Sequence, residues 1–157
     1  MSIRIFFQSL NLSMNLYIYD NIGSMLTRLS NKDKKLIEVA KKVAKTRYDK
    51  NLTSIGAALR TKKGKIYTGI NLKYHVRNIS MCAERLAIFK ALEAGESEFD
   101  TIVGVKYFPE KNKYEAITAC GECRQVEAYH APIRTIIKKG GKLIKIDIED
   151  LLPYSFV

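Results

Sequence analysis

The chain has 157 residues and a formal net charge of +11 at pH 7, with 27 Lys and Arg against 16 Asp and Glu. A hydrophobic fraction of 46% and a charged fraction of 27% are typical of a globular protein with one sizeable core, and they exclude an intrinsically disordered chain. The sequence contains no uninterrupted apolar run long enough to span a membrane, so we predict no membrane partner.

Residues 1–29 are rich in Asn and Ser, with scattered apolar residues, and we assign them to an N-terminal extension. The sequence leaves two alternatives open, because the segment can pack as an extra strand or arm, and Met14 and Met25 are also candidate start residues. The first apolar run is cut short at Gln8 and no small-residue cleavage site follows, so we predict no signal peptide. A single domain is predicted over residues 30–157.

The domain is predicted to begin with a helix. Ser30 and Asp33 approximate a capping box, and apolar residues at helical spacing continue to about Arg47. Strands and helices then alternate, with predicted bounds at 53–59 (strand), 65–70 (strand), 82–95 (helix), 101–108 (strand), 120–128 (short helix), 132–138 (strand) and 143–146 (strand). This order predicts an α/β fold, a three-layer α/β/α sandwich around a roughly five-stranded mixed sheet.

All three cysteines lie in two short motifs, Cys82-Ala83-Glu84 and Cys120-Gly121-Glu122-Cys123. Each motif opens a predicted helix, where the helix dipole favours negative charge and lowers the pKa of a thiol. Three thiolates fill three of the four positions around Zn²⁺ and leave the fourth to water, as in a catalytic zinc site. Zinc lowers the pKa of that water, and the neighbouring Glu84 carboxylate is placed to take the proton and return it to a leaving group.

Two other sites can be built from the same cysteines. A redox dithiol would use Cys120 and Cys123, but it leaves Cys82 and Glu84 unexplained. A structural zinc site would take a fourth ligand from His75, His130 or Glu84, and it has no need of a free carboxylate.

The two motifs together form the signature of the zinc-dependent deaminases. Residues 81–85 (MCAER) and 120–125 (CGECRQ) resemble the cytidine deaminase family in its three-cysteine form. The resemblance extends to a hairpin within 55–71 and to the C-terminal segment 150–156, so it covers residues 30–157 approximately.

The resemblance implies hydrolysis of a cytosine nucleoside to its uracil form with release of ammonia. It implies Cys82, Cys120 and Cys123 as ligands of Zn²⁺, Glu84 as the general acid and base, and Arg85 as the cation that offsets the charge of three thiolates. It also implies a homotetramer in which Phe156 reaches a neighbouring subunit's site. A cytoplasmic role in pyrimidine salvage follows from the family, and free thiols fit a reducing compartment.

The substrate-binding positions depart from the family pattern. Asn71 lies eleven residues before Cys82, where the family has the asparagine of an Asn-x-Glu motif that holds the ribose hydroxyls. Lys73 takes the place of the glutamate, and an ammonium group can only donate hydrogen bonds and carries the opposite charge. Thr53 replaces an aromatic residue that lies against the base, and Ala119 replaces the proline of P-C-x-x-C.

These departures favour an alternative substrate, a modified or anionic cytosine nucleoside or nucleotide such as blasticidin S. Lys73 would receive its phosphate or carboxylate. Tyr74 and His75 resemble the Tyr-His pair that follows the asparagine in blasticidin S deaminases.

The basic charge keeps a different partner open, a single-stranded nucleic acid that the protein deaminates or binds. The lysines are spread over predicted helix faces, turns and strand ends with few aromatics between them, so a solvated surface is favoured. A zinc protein without enzymatic activity is a further alternative, and the presence of Glu84 opposes it.

Overall fold

Helix α1 (Asn31–Thr46) opens the part of the chain that the structure, a computed structural model, describes, namely residues 28–156. The predicted capping box is present: the Ser30 side chain accepts from the Asp33 amide, and the Asp33 carboxylate accepts from the Ser30 amide at 2.9 Å. The predicted helix is confirmed. Because residues 1–27 lie outside the described residues, the N-terminal extension stays a prediction.

The other elements follow the predicted order with two additions. Their bounds are β1 (Ile55–Thr61), β2 (Ile66–Ile70), α2 (Ala83–Glu93), β3 (Phe99–Phe108), β4 (Lys113–Ile117), α3 (Gly121–Ala128), β5 (Arg134–Lys139), β6 (Lys142–Asp147) and α4 (Ile148–Leu151), with short 3-10 turns at Arg77–Ile79 and Pro109–Lys111. The additions are β4 and the four-residue helix α4, neither of which is predicted from the sequence. The sequence of β4 alternates polar and apolar residues only over 113–116, a run too short to predict a strand with certainty, and none of its residues is fully buried.

The strands form one mixed sheet of six strands, in the order β2-β1-β3-β5-β6, with β4 also paired to β3. Strands β3 and β5 are parallel, and every other pair is antiparallel. One edge of β3 is shared, because residues 101–103 pair with β5 and residues 104–108 pair with β4.

Helices cover both faces of this sheet. On one face α1 packs through Leu36 and Ala40 against Val103 and Val105 of β3. On the other face the buried residues of α2 and α3 form a second cluster with the opposite sides of β1 and β3. The predicted three-layer α/β/α sandwich is therefore confirmed, with six strands in place of roughly five. Within residues 28–156, no helix is long and apolar enough to cross a membrane.

Candidate active site

The three cysteines converge at the N-termini of two helices. Cys82 is the N-cap residue of α2, Cys120 is the N-cap residue of α3, and Cys123 lies in the first turn of α3. The Sγ atoms of Cys82 and Cys120 are 3.7 Å apart, and those of Cys120 and Cys123 are 3.5 Å apart. All three lie within 4.8 Å of one another. Sulfur ligands 2.3 Å from a tetrahedral Zn²⁺ lie about 3.8 Å from each other, so the cluster fits zinc.

Two close backbone approaches hold the first motif against the sheet. A Cβ at Gly69 of β2 would lie 2.1 Å from the Ala83 carbonyl oxygen, so only glycine lets the start of α2 sit this close to the strand. A Cβ at Gly104 of β3 would lie 2.6 Å from Oε1 of Glu84, so the carboxyl lies directly over that strand.

Strand β4 brings the second motif to the same place. Ile117, its last residue, pairs with Gly104, and the chain then runs through residues 118–119 to Cys120. Two motifs separated by residues 85–119 thus meet over the middle of β3. The zinc site predicted from the sequence requires the two cysteine motifs to be adjacent in the fold. Strand β4, which places them so, is not among the predicted elements.

Two of the thiols, Cys82 and Cys123, do not have the lowered pKa that their place at helix N-termini predicted. Burial raises the pKa of Cys123, and the negative groups around it, beginning with Glu84, raise it further. Burial and the neighbouring Cys120 also raise the pKa of Cys82. Desolvation therefore outweighs the helix dipole, and three thiolates can be present together only with a cation to neutralise them. A bound Zn²⁺ would supply that cation.

Glu84 is buried beside the cysteines, with only 4% of its surface exposed. Burial raises the pKa of its carboxyl, while a backbone amide and Arg85 act in the opposite direction. A carboxyl with a raised pKa is a better base than an ordinary glutamate, which suits transfer of a proton near neutral pH.

Cys82, Cys120 and Glu84 line a cleft of about 310 Å³, which we name the catalytic cleft, while Cys123 is fully buried and does not line it. Its walls come from the end of β2, the start of α2, the end of β4 and the start of α3. The lining residues are Ile55, Asn71, Leu72, Lys73, Ser80, Met81, Cys82, Ala83, Glu84, Arg85, Ile117, Thr118, Cys120 and Glu122.

Asn71 lines this cleft but its side-chain oxygen is already engaged. Oδ1 accepts from the amides of Ser54 and Ile55 at 2.9 and 2.7 Å, and from the Thr53 hydroxyl at 3.2 Å. Thr53, at the family's aromatic position, is buried and supports Asn71. The side-chain NH₂ group is the part of Asn71 that remains to donate to a ligand.

Lys73 lies at the junction of two clefts. Its Nζ atom donates to Ser54 Oγ at 3.2 Å, and no carboxylate among residues 28–156 forms an ion pair with it. It lines the catalytic cleft and an adjoining open cleft of about 580 Å³ that is also lined by Lys50, Tyr74 and His75. A cationic group therefore borders the space in which a substrate would extend.

Comparison with known proteins agrees with this geometry. The family model of the cytidine and deoxycytidylate deaminase zinc-binding region matches residues 30–138. A blasticidin-S deaminase from Bacillus cereus is 35% identical over 132 residues, which cover 82% of this chain and 94% of that protein. This chain belongs to the cytidine deaminase family.

Further relatives of this deaminase are cytidine deaminases. One from Halalkalibacterium halodurans is 33% identical over 105 residues, covering 65% of this chain and 76% of that protein. The crystal structure of cytidine deaminase from Burkholderia pseudomallei superposes with a TM-score of 0.66 and 32% identity, covering 82% of this chain and all of that one. A cytidine deaminase structure from Bacillus anthracis shares the fold with a TM-score of 0.70 at 23% identity.

With the cysteine cluster, these matches confirm the predicted family and its zinc cofactor. The deaminase is a zinc-dependent hydrolytic enzyme. This result replaces three alternatives that the sequence left open: a redox dithiol, a structural zinc site and a zinc protein without activity.

Two residues expected at the site of this deaminase differ in their placement, because Arg85 lines the catalytic cleft and Phe156 does not. The Arg85 guanidinium pairs with Glu122 at 3.2 Å and donates to the Ser80 carbonyl at 3.3 Å, and no hydrogen bond to sulfur is found for it in the described chain. The Phe156 ring is 84% exposed and does not line the catalytic cleft of its own chain. The Phe156 backbone exchanges two 3.0 Å hydrogen bonds with the Gln125 side chain, which fixes the C-terminal segment beside α3.

The deaminase also contains a buried carboxyl that was not predicted from the sequence. Glu127 lies on α3 and is fully buried. Its Oε2 accepts from Thr135 Oγ1 at 2.5 Å, while Oε1 has no partner in the described structure. Burial raises the pKa of Glu127 to about 7, the charge of Glu84 adds to the rise, and Thr135 and Arg124 oppose it. The signal was its spacing of four residues from Cys123, which places both on one helix face.

Glu127→Gln is expected to stabilise the deaminase at alkaline pH. The pKa rises from 4.5 in the unfolded chain to about 7 in the folded one, so ionising Glu127 opposes folding. The loss of unfolding free energy from this ionisation is absent below pH 4.5, grows between pH 4.5 and 7, and is about 3 kcal/mol above pH 7. The difference in unfolding free energy between Glu127→Gln and wild type should therefore grow over that interval. Denaturant titrations of the zinc-loaded proteins at pH 5, 6, 7 and 8 measure it.

Glu127→Leu is the companion variant, because it removes the carboxyl without offering a new polar group. It should show the same growth with pH. A constant difference between variant and wild type across the four pH values would mean that Glu127 does not titrate in this range.

Proposed function

We propose that this deaminase acts on a cytosine nucleoside, with Zn²⁺ held by Cys82, Cys120 and Cys123 and with Glu84 as general acid and base. The observation that carries the proposal is the buried Glu84 carboxyl in the cleft lined by Cys82 and Cys120, beside the cluster that these two form with Cys123. The other acid that lines this cleft, Glu122, is exposed and pairs with Arg85. We assign Arg85 a part in balancing the charge of the thiolates.

Zinc, when bound, supplies a Lewis acid that makes water a nucleophile near neutral pH. The Glu84 carboxylate accepts a proton from the attacking water, whose oxygen forms a bond to C4 of the cytosine ring. It then donates a proton to the 4-amino nitrogen, so that the C4–N bond breaks and ammonia leaves. Burial of Glu84 keeps bulk water away from this proton, and the nearby Gly104 backbone limits the positions of the carboxyl.

Asn71 is assigned the sugar end of the substrate. Its NH₂ group can donate to a hydroxyl oxygen, while its engaged Oδ1 keeps the side chain in one orientation. Thr53 offers no aromatic surface to the base, so stacking contributes less than in a site with a ring at this position.

The substrate class that we favour within this group carries an anionic substituent. Lys73 borders the catalytic cleft without an ion-pair partner in residues 28–156, and a phosphate or carboxylate on the sugar would neutralise it. The similarity to a blasticidin-S deaminase over 94% of that protein supports a modified cytosine nucleoside, and the cytidine deaminase relatives support the unmodified one.

The test is ammonia release by the zinc-loaded protein from cytidine, deoxycytidine, CMP, dCMP, blasticidin S and free cytosine. Turnover of at least one nucleoside or nucleotide with stoichiometric zinc supports the proposal. Full zinc occupancy without release from any of the six would refute it.

Lys73→Glu is expected to lower kcat/KM about tenfold for the anionic members of this panel. For neutral cytidine, kcat/KM should stay unchanged or rise. The reason is that the variant replaces an attraction by a repulsion of similar size. Lys90→Glu, which makes the same charge change on the exposed end of α2, is the matched control. An equal loss for neutral and anionic substrates would show that Lys73 does not recognise charge.

The remaining features are proposed from the family. We propose one domain over residues 30–157, a homotetramer in which Phe156, with Tyr154 nearby, reaches a neighbouring subunit's site, and a role in pyrimidine salvage in the cytoplasm. The near-complete exposure of both rings supports a contact outside their own chain.

A further inference from the structure

A second cavity, remote from the catalytic cleft, is lined mainly by cations. It has a volume of about 260 Å³ and lies at the start of α1, the end of β1 and the turn to β2. Strand β1 connects the two sites, because Ile55 lines the catalytic cleft and Arg60 lines this one, about 17 Å further along the strand. We name it the basal cavity, and its charged lining residues are Lys32, Lys35, Arg60, Lys62 and Asp100.

The carboxylate that lines this cavity, Asp100, and the one that also pairs with Arg60, Asp33, are both engaged in ion pairs. Asp100 pairs with Arg60 and Arg134, each at 2.5 Å. Asp33 pairs with Arg60 at 2.7 Å and with Lys145 at 2.8 Å. No ion pair in residues 28–156 involves the three lysines of the cavity. The cavity lining contains four cations and one carboxylate, Asp100, so it has an excess of three positive charges.

Arg60 adds an unfilled donor to this excess. Only 8% of the residue is exposed. Its Nε donates to Asp100 at 2.7 Å, and its Nη2 donates to Asp33 at 2.7 Å and to Thr101 at 3.1 Å. Its Nη1 is buried and has no hydrogen-bond partner within the described residues. A buried guanidinium nitrogen without a partner is costly, and an anion in the adjoining cavity would supply the missing acceptor after a small side-chain shift.

The position of one of the lysines is unfavourable without such a partner. Lys32 lies in the first turn of α1, where the helix dipole disfavours cations, and Lys35 follows in the second turn. Lys32 does not stabilise the helix there, but both lysines line a cavity that an anion can enter.

We propose that the basal cavity binds the phosphate group of a small phosphorylated molecule. A dianionic oxyanion matches the positive excess better than a single carboxylate does, and the cavity has room for the group and part of its carrier. A nucleic acid is disfavoured because no aromatic side chain lines the cavity to stack on a base. The site differs from the one that Lys73 borders, and it does not depend on the proposed substrate.

The test is calorimetric titration of the zinc-loaded full chain with inorganic phosphate and with pyrophosphate at constant ionic strength. One saturable site is expected. Lys35→Ala and Lys62→Ala should each weaken binding about threefold, and the double variant about tenfold, because each removes one exposed charge contact. Lys34→Ala, a lysine on the same helix that does not line the cavity, should bind like wild type.

Three outcomes would overturn the proposal. The first is the absence of saturable binding, and the second is unchanged binding by the double variant. The third is loss of binding in Lys73→Ala with retention in the double variant, which would place the anion at the catalytic cleft. A parallel titration with a single-stranded oligonucleotide completes the experiment. If the oligonucleotide binds with a steep salt dependence and phosphate does not bind, the ligand is a nucleic acid and the small-molecule class is wrong.

Discussion

Glu84→Gln is expected to lower kcat about 10³-fold while the protein keeps its zinc. General acid–base catalysis contributes between about 10² and 10⁴ in rate, and the amide can neither take a proton from water nor return one to the leaving nitrogen. Glutamine has nearly the same shape, so it can occupy the space over Gly104 that the carboxyl fills. None of the zinc ligands changes. The measurement is ammonia release under saturating substrate, with zinc content determined on the same samples.

Glu93→Gln is the control for this experiment. It makes the same chemical change on the same helix, at an exposed position outside the catalytic cleft. It should retain the wild-type rate. If Glu84→Gln kept more than about a tenth of the wild-type kcat with full zinc occupancy, the proton would have to move through another group, and the assignment of Glu84 would be wrong.

The elements that could be predicted from the sequence are those with local signals. The capping box at Ser30 and the apolar spacing after it are contained within one segment, and they are sufficient to predict α1. The motif Cys82-Ala83-Glu84 is equally local, because the ligand and the acid lie on one turn at the start of one helix. Each of these predictions needed only neighbouring residues, whereas the raised pKa of Cys82 follows from burial that the local sequence does not show.

The missed elements depend on residues that are distant in the chain. Strand β4 forms because the second half of β3 needs a partner beyond the end of its pairing with β5, and its own alternation of polar and apolar residues is short. The spacing of Glu127 from Cys123 places both on one helix face, but only the contact between α3 and β5 shows that the Glu127 carboxyl is buried on Thr135.

The ion-pair network at the basal cavity shows the same limit. Asp33, Arg60 and Lys145 come from α1, β1 and β6, and nothing in their local sequences distinguishes them from other charged residues. The three residues are buried because these two strands and α1 meet at this end of the sheet. The sequence therefore predicted a scattered basic surface, and the fold gathers part of that charge into one concave site.

The expected result of Cys123→Ser is loss of zinc together with loss of turnover. Cys123 is fully buried, its sulfur lies 3.5 Å from that of Cys120, and within residues 28–156 no fourth Cys, His, Asp or Glu belongs to the cluster of possible metal ligands. Serine nearly preserves the volume of cysteine but offers a hydroxyl that does not ionise near pH 7, and two thiolates hold zinc far more weakly than three. We expect zinc affinity to fall by more than about 100-fold, since even changes outside the ligand shell cost between 10- and 100-fold.

The comparison of Cys123→Ser with Glu84→Gln separates binding of the metal from use of the metal. Both variants should be inactive, but only Cys123→Ser should lose zinc on dialysis and show a lower melting temperature that no longer responds to a chelator. The reason is that bound zinc stabilises the folded state and a chelator removes that contribution from wild type and from Glu84→Gln alike. Stoichiometric zinc and normal turnover in Cys123→Ser would show that Cys82 and Cys120 hold the metal without Cys123, and the three-thiolate site would have to be abandoned.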